Sequence, residues 1–208
     1  MEHHNLLEIQ EQIAAAFADG MTYAEYHVLV KKHAETFTST GHNPPESYAE
    51  YTVLNHRRMK RWDKVFKLTD EQKAVLENLK TEYNFTVITE SWCGDAPPSV
   101  AVMNSIAQAC AKIDLRVILR DDHPEIMDAV AVNGIHSIPK LIIQEKETGK
   151  IVTIWGSRPA ILQQMFEDFK AEHGNITAEF REEIQQWYNK DKGKTIAAEL
   201  IDILSAFN

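Results

Sequence analysis

One cysteine, Cys93, occupies a position in the sequence that could support nucleophilic chemistry. It lies in the segment Glu90–Pro98, which follows a run typical of a β-strand, Phe85–Thr89, and leads into a predicted helix. Unpaired backbone N–H groups at the beginning of a helix stabilise a thiolate and lower the pKa of a cysteine from about 8.5. The position therefore favours a reactive thiol, although a free cysteine is more often a small buried hydrophobic residue.

The elements that would position Cys93 fall into three parts, of which the first is helical. Hydrophobic periodicity predicts three helices within residues 1–67, an N-terminal helical extension. Thr22 and Glu25 form a capping box at the beginning of the second helix. The third helix is expected to bury one apolar side, made of Tyr48, Tyr51, Leu54, Trp62 and Phe66.

Residues 68–172 alternate between helix and strand patterns. The predicted strands are Phe85–Thr89, Leu115–Leu119, Lys140–Gln144 and Ile151–Trp155, with helices between and after them. This order predicts an α/β domain with a mixed central sheet flanked by helices. Two further amphipathic helices follow Gly174, so residues 173–208 are predicted to form a C-terminal helical extension.

The motifs around Cys93 resemble those of the thioredoxin family. Trp92-Cys93-Gly94 stands between a strand and a helix, Ile138-Pro139 follows 46 residues after the cysteine, and Gly156 comes after the last strand. The resemblance extends over about residues 67–171 and implies a thioredoxin fold with Cys93 as the attacking nucleophile. It also implies a cis Ile138–Pro139 peptide bond against the sulfur, and a substrate groove that includes Ile138, Pro139 and Gly156.

Three positions depart from the pattern of that family. The family motif Trp-Cys-Gly-Pro-Cys reads here Trp92-Cys93-Gly94-Asp95-Ala96, so the second cysteine, which resolves a mixed disulfide, is replaced by Ala96. Val87 stands where the family has a buried acid that assists proton transfer. These departures exclude dithiol cycling between Cys93 and a cysteine of the same motif.

The second cysteine of the chain, Cys110, does not supply the missing partner. If residues 93–112 form one helix, the 17 residues between the cysteines rise about 25 Å, whereas a disulfide needs Cα atoms within about 7 Å. Cys110 is flanked by Ala109 and Ala111, so we expect it to be a core residue.

Three neighbours are candidates to modulate Cys93. Asp95 favours a helix N-terminus but opposes a low thiol pKa, and its other interpretation is an ordinary acidic residue of the first turn. His136 precedes Pro139 by three residues and could stabilise the thiolate or act as a base, or could be an exposed loop histidine. Trp92 could shield the sulfur from solvent, or simply pack at the edge of the core.

Composition narrows the classes of partner. The 208 residues carry 22 Lys and Arg against 31 Asp and Glu, for a formal net charge of −9, which argues against nucleic acid and anionic membranes as partners. We expect a cytoplasmic protein, because the first residues show no secretory signal and two cysteines make no disulfide scaffold. No metal site or other cofactor is predicted.

One helix stands out from this acidic chain because it is strongly basic. Its cationic residues are Arg57, Arg58, Lys60, Arg61, Lys64 and Lys67. The ordinary interpretation is a solvated face. The alternative is a site for an anionic partner, such as a carboxylate-bearing thiol or an acidic protein.

These observations lead to one main hypothesis and two rivals. The main hypothesis is a monothiol thioredoxin-like protein in thiol–disulfide exchange, in which Cys93 forms a mixed disulfide with a protein or a low-molecular-weight thiol and an external thiol releases it. The first rival is a non-catalytic binding module or redox sensor that uses the cis-proline groove. The second is a transferase that adds a thiol to an electrophile. The oligomeric state stays open.

Overall fold

The fold is organised around a four-stranded mixed sheet. The computed structural model describes residues 3–207, with side chains from residue 6 onward; Met1, Glu2 and Asn208, which the predicted extensions include, lie outside the described residues. The strands are β1 (Tyr83–Thr89), β2 (Ile113–Leu119), β3 (Lys140–Glu145) and β4 (Ile151–Gly156). Their order is β2-β1-β3-β4; β1 pairs parallel with β2 and antiparallel with β3, and β3 pairs antiparallel with β4. The predicted α/β class and mixed sheet are confirmed.

The α-helices of the described residues pack around this sheet, and the first and last of them in the chain form the two helical extensions. They are α1 (His3–Asp19), α2 (Tyr23–Thr36), α3 (Tyr48–Val65), α4 (Asp70–Glu77), α5 (Ala96–Ala109), α6 (Pro124–Ala129), α7 (Ala160–His173), α8 (Ala178–Asp191) and α9 (Lys194–Ala206). The central strand β1 lies in the core, where Phe85, Val87 and Ile88 are inaccessible to solvent.

The N-terminal extension covers one edge of the sheet. The predicted capping box forms at the beginning of α2, where Glu25 N donates to Thr22 Oγ1 at 3.2 Å and Thr22 N donates to Glu25 Oε2 at 2.7 Å. Just before it, Met21 exchanges two backbone hydrogen bonds with Val117 of the edge strand β2, at 2.7 and 2.9 Å. An uncovered strand edge invites pairing with other chains, so this bridge closes a vulnerable side of the fold.

Two predictions about helices were wrong in detail. The helix expected over residues 93–112 is the shorter α5, because Cys93 and Gly94 lie in a turn before it and Cys110 is extended at its end. The apolar side predicted for α3 includes Tyr51 and Leu54, which are 41% and 40% exposed. The buried face of α3 instead includes two polar residues, Thr52 and Asn55, which hydrophobic periodicity does not detect.

Across residues 3–207, none of the helices combines the length and the apolar character that crossing a lipid bilayer requires.

The turn between α8 and α9 depends on a glycine. Gly193 has φ +78°, and a Cβ built on it would lie 2.8 Å from both Phe66 Cδ2 and Val102 Cγ2. Because α9 packs on α4 and α5, this turn positions the C-terminal extension against the central domain.

We expect Gly193→Ala to lower the free energy of unfolding by about 2–4 kcal/mol, since it adds a steric overlap to the cost of a left-handed backbone. Gly174→Ala is the matched control, because Gly174 has φ +75° and open space around it, and it should cost only about 1 kcal/mol. Urea denaturation followed by circular dichroism measures both. Equal losses would show that the contact with Phe66 and Val102 is unimportant.

Candidate active site

Cys93 lies at the junction of the sheet and α5, at the wall of a cavity of about 740 Å³. Its side chain is buried, and its thiol Sγ donates a hydrogen bond to the backbone carbonyl of Ile138 at 3.2 Å. The Ile138–Pro139 peptide bond is cis. The thiol therefore faces the segment that precedes β3, as the sequence resemblance implies.

Opposing influences act on the pKa of this thiol. Burial is the largest influence and the nearby Asp95 carboxylate is the next; both raise the pKa of Cys93, which lies at about 12 once all influences are combined. The backbone N–H groups of Asp95 and Ala96 and the Arg158 guanidinium act in the opposite direction. The sequence analysis expected a lowered pKa from the helix N-terminus, and in this conformation that expectation is wrong because desolvation outweighs the stabilising amides.

Asp95 is buried, and it is more than a first-turn acid. Its Oδ2 atom forms an ion pair with Arg158 Nη2 at 2.6 Å, and its Oδ1 atom accepts a hydrogen bond from Tyr188 Oη at 3.1 Å. Burial raises the pKa of the Asp95 carboxyl, against the stabilising effect of Arg158. A negative charge fixed beside Cys93 in this way holds the thiol in its protonated form.

The loop that carries Cys93 is fixed by the polar face of α3. Asn55 Nδ2 donates to the backbone carbonyls of Ser91 and Cys93 at 2.9 and 3.0 Å, and the hydroxyls of Thr52 and Ser91 lie 2.9 Å apart. The sequence analysis missed these residues. One sequence pattern could have indicated their burial: Thr52 and Asn55 are three positions apart and share a helix face with the apolar residues Met59 and Trp62.

A second buried contact holds the same loop from the segment before α3. Ser91 N donates to Thr40 Oγ1 at 2.8 Å, and Thr40 Oγ1 donates to the buried carboxylate of Glu90. Asp121 N also donates to Glu90 Oε1, at 3.0 Å, and burial raises the pKa of Glu90. The sequence analysis did not single out Glu90, because only the tertiary structure brings Thr40 to it.

Both terminal extensions line the cavity. Tyr48 of α3 stacks on Trp92 with ring centroids 4.3 Å apart, and Gln185 of α8 donates through Nε2 to the carbonyl of Gly94 at 3.0 Å. Helices α3 and α8, one from each extension, therefore form two walls of the cavity.

The remaining predicted site residues are brought near the cavity to different degrees. Trp92 lines it and carries Arg120 Cζ 4.8 Å from its ring centroid. His136 also lines it, but its Nε2 atom is engaged by Asp128 Oδ1 at 2.7 Å on an exposed surface. This contact directs the imidazole toward Asp128, and the structure gives no contact between His136 and the thiol among the described residues.

Of the three predicted groove residues, one lines the cavity and two lie behind it. Ile138 lines the cavity, whereas Pro139 is buried beside it. Gly156, at the end of β4, has φ +113°, and a Cβ there would lie 2.4 Å from the Pro139 carbonyl oxygen. Gly156 therefore supports the cis-proline segment through a close backbone approach.

Nothing in the described part of the chain resembles a metal centre, since no group of three or more His, Cys, Asp or Glu residues there could hold an ion.

The site and the fold together define the class of protein. A thiol between a central strand and a helix, facing a cis-proline at the beginning of an antiparallel strand, is the arrangement of a thioredoxin-like protein, here with a single cysteine. A family model described as thioredoxin matches residues 41–170, which is more than half of the chain. The chain therefore belongs to the thioredoxin family, as its motifs predicted.

Solved structures agree with this fold. A crystal structure of a protein of unknown function from Pseudomonas aeruginosa is 14% identical with a TM-score of 0.62, and the match covers 94% of this chain and 98% of that one. An HIV epitope scaffold is also 14% identical, with a TM-score of 0.61 and coverage of 93% and 97%. At these identities the likeness concerns the fold alone. The comparison with curated proteins found no match.

Alkylation of Cys93 by iodoacetamide should accelerate about tenfold per pH unit between pH 7 and 10, because its pKa is raised to about 12 and the thiolate is the reacting form. Peptide-level mass spectrometry separates Cys93 from Cys110, and Cys93→Ser gives the background. A plateau below pH 8 would contradict the dominance of burial.

Asp95→Asn should lower the pKa of Cys93 and speed its alkylation at pH 7 by about tenfold, because it removes a negative charge and leaves Arg158 beside the sulfur. The same alkylation assay measures this change. Because the variant leaves Arg158 without its carboxylate, the double variant Asp95→Asn with Arg158→Gln serves as a second test, and Asp70→Asn on the surface is the control. An unchanged rate in both folded variants would contradict the role assigned to Asp95.

Proposed function

We propose that this protein performs thiol–disulfide exchange with Cys93 as a single attacking thiol. The observation that carries the proposal is the position of Cys93 Sγ, between the Ile138 carbonyl of the cis-proline segment and the amides of Asp95 and Ala96 at the beginning of α5. Those amides stabilise a developing thiolate, and the cavity gives a substrate access to the sulfur.

The proposed exchange needs a thiol from outside the chain. The Cys93 thiol loses its proton to solvent, and the thiolate attacks one sulfur of a disulfide, forming a mixed disulfide and releasing the other sulfur as a thiolate. An external thiolate then attacks the mixed disulfide and frees Cys93. Ala96 has no thiol with which to resolve the mixed disulfide. Cys110 lies beyond the opposite end of α5, where its Sγ donates a hydrogen bond to the Leu76 carbonyl at 3.3 Å.

The resting state of the proposed cycle is a protonated thiol. Because burial raises the pKa of Cys93 to about 12, the thiol form predominates strongly at pH 7. Such a thiol is protected from oxidation, and deprotonation accompanies the entry of substrate and water into the cavity. Partners in this proposal are a protein disulfide or a low-molecular-weight thiol. The cycle suits the cytoplasm, where external thiols are abundant.

The raised pKa also favours a second candidate function. A module that binds an extended ligand in the cis-proline groove does not need a thiolate, and Cys93 would then serve as an inert wall residue or a slow redox sensor. The two candidates differ in one observable, which is whether Cys93 accepts and releases a disulfide-bonded group.

A substitution that supplies the missing thiol tests the exchange. Wild-type protein treated with 4,4′-dithiodipyridine at pH 9 should hold a mixed disulfide on Cys93 that persists until a thiol is added. Labelling releases one equivalent of pyridinethione in both proteins, and Ala96→Cys should release a second equivalent within minutes as Cys93 and the introduced thiol form a disulfide, since that thiol lies in the turn where Ala96 N already donates to the Cys93 carbonyl at 3.2 Å. Non-reducing mass spectrometry follows both species.

Ala96→Ser is the matched control, because it introduces a hydroxyl of similar size that cannot resolve a disulfide, and Cys93→Ser should remove all labelling at that site. The exchange proposal is overturned if Cys93 takes no label at pH 9 in folded protein. Rapid loss of the label from wild type without added thiol would overturn the single-thiol mechanism.

A further inference from the structure

We propose that the low-molecular-weight disulfide that Cys93 attacks, and the thiol that releases its mixed disulfide, carry a carboxylate, which binds Arg58 of α3 and Arg181 of α8. This inference rests on the proposed exchange and specifies its substrate. It starts from the charge of the cavity, which contrasts with the net charge of −9 on the whole chain.

Four arginines line the cavity, and two of them are already neutralised. Arg158 pairs with Asp95 at 2.6 Å, and Arg120 pairs with Asp121 at 2.8 Å. Within the described side chains, neither Arg58 nor Arg181 has a carboxylate within 4.0 Å, although both line the cavity. A ligand that brings a carboxylate would satisfy them by charge-assisted hydrogen bonds.

Arg58 is placed beside Gly94, the residue that follows Cys93. Its guanidinium Nη1 atom lies 3.7 Å from the point where a Cβ of Gly94 would stand, and it donates to Asn55 Oδ1 at 3.2 Å. Asn55 also binds the backbone carbonyl of Cys93 at 3.0 Å, so one side chain orients the cation and the thiol loop together. The half-buried guanidinium has lost part of its hydration, and this burial lowers its pKa.

Arg181 faces the same cavity from the other extension. It is exposed on the first turns of α8, and its neighbour Glu182 also lines the cavity. Glu182 opposes an anion there, but its Oε1 atom accepts a hydrogen bond from Gln186 at 3.4 Å on the exposed face of the helix. The cations of the cavity wall therefore exceed its carboxylates.

The dimensions of the cavity favour a small molecule over a protein disulfide. A volume of about 740 Å³ is typical of small-ligand sites. The sulfur is buried beneath walls from α3 and α8, since only 6% of Cys93 is exposed. A compact molecule with a carboxylate can contact the sulfur and the guanidinium groups at the same time. A folded protein would contact α3 and α8 before its disulfide reached the sulfur.

One anionic and one uncharged disulfide reagent test the inference. 5,5′-Dithiobis(2-nitrobenzoate) carries two carboxylates and 4,4′-dithiodipyridine is uncharged at pH 8; both transfer one half to Cys93 and release the other as a coloured thiol. The quantity measured is the rate constant of the anionic reagent divided by that of the uncharged one. Each rate constant is corrected for the background in Cys93→Ser and divided by the value for N-acetylcysteinamide. This ratio should fall about tenfold in the double variant Arg58→Gln with Arg181→Gln. Arg57→Gln, an exposed residue of the same helix that does not line the cavity, should leave it within about twofold.

The outcomes separate this inference from the exchange on which it rests. If the neutral reagent labels Cys93 and the ratio is unchanged in the double variant, the carboxylate site is overturned while the exchange stands. If neither reagent labels Cys93, the exchange is overturned. Calorimetric titration of Cys93→Ser with S-methylglutathione, an anionic thioether that cannot exchange, then decides the site. Binding that the double variant weakens at least about tenfold supports the site, and absent or unaltered binding overturns it.

Discussion

The contact between the Asn55 amide and the carbonyls of Ser91 and Cys93 is the constraint on which the rest of the site depends. A buried amide left without its hydrogen bonds is costly, so this contact favours the observed position of α3 on the central domain. That position fixes the turn that carries the thiol, brings Tyr48 over Trp92 and places Arg58 beside Gly94. One polar interaction thus joins the N-terminal extension to the chemistry of the thiol.

The Asp95–Arg158 ion pair plays the corresponding role for the C-terminal extension. Tyr188 of α8 donates to Asp95, so this helix is coupled to the same residue that raises the pKa of Cys93. A structure that buries its thiol beside a carboxylate gains protection from oxidation and loses thiolate at neutral pH. Here the two helical extensions set that balance.

The sequence predicted the parts of the fold that depend on neighbouring residues. The strands follow from their β-branched runs, and the beginning of α2 follows from the capping box at Thr22. Contacts between distant residues were not predictable in the same way. The buried face of α3 was assigned incorrectly because Thr52 and Asn55 are buried by hydrogen bonds to a loop 36 to 39 residues away, and periodicity measures only hydrophobicity.

The sequence by itself determined the family, the mixed sheet, the place of Cys93 between a strand and a helix, and the lack of a second cysteine at Ala96, because each follows from residue types and their order along the chain. Only the tertiary structure decided the state of the thiol, the burial of Asp95, the engagement of His136 by Asp128 and the arginines around the cavity. The physical reason is that the pKa of a group depends on desolvation and on charges from every element packed around it. Helices at both ends of the chain supply those elements, and no local motif encodes where they pack.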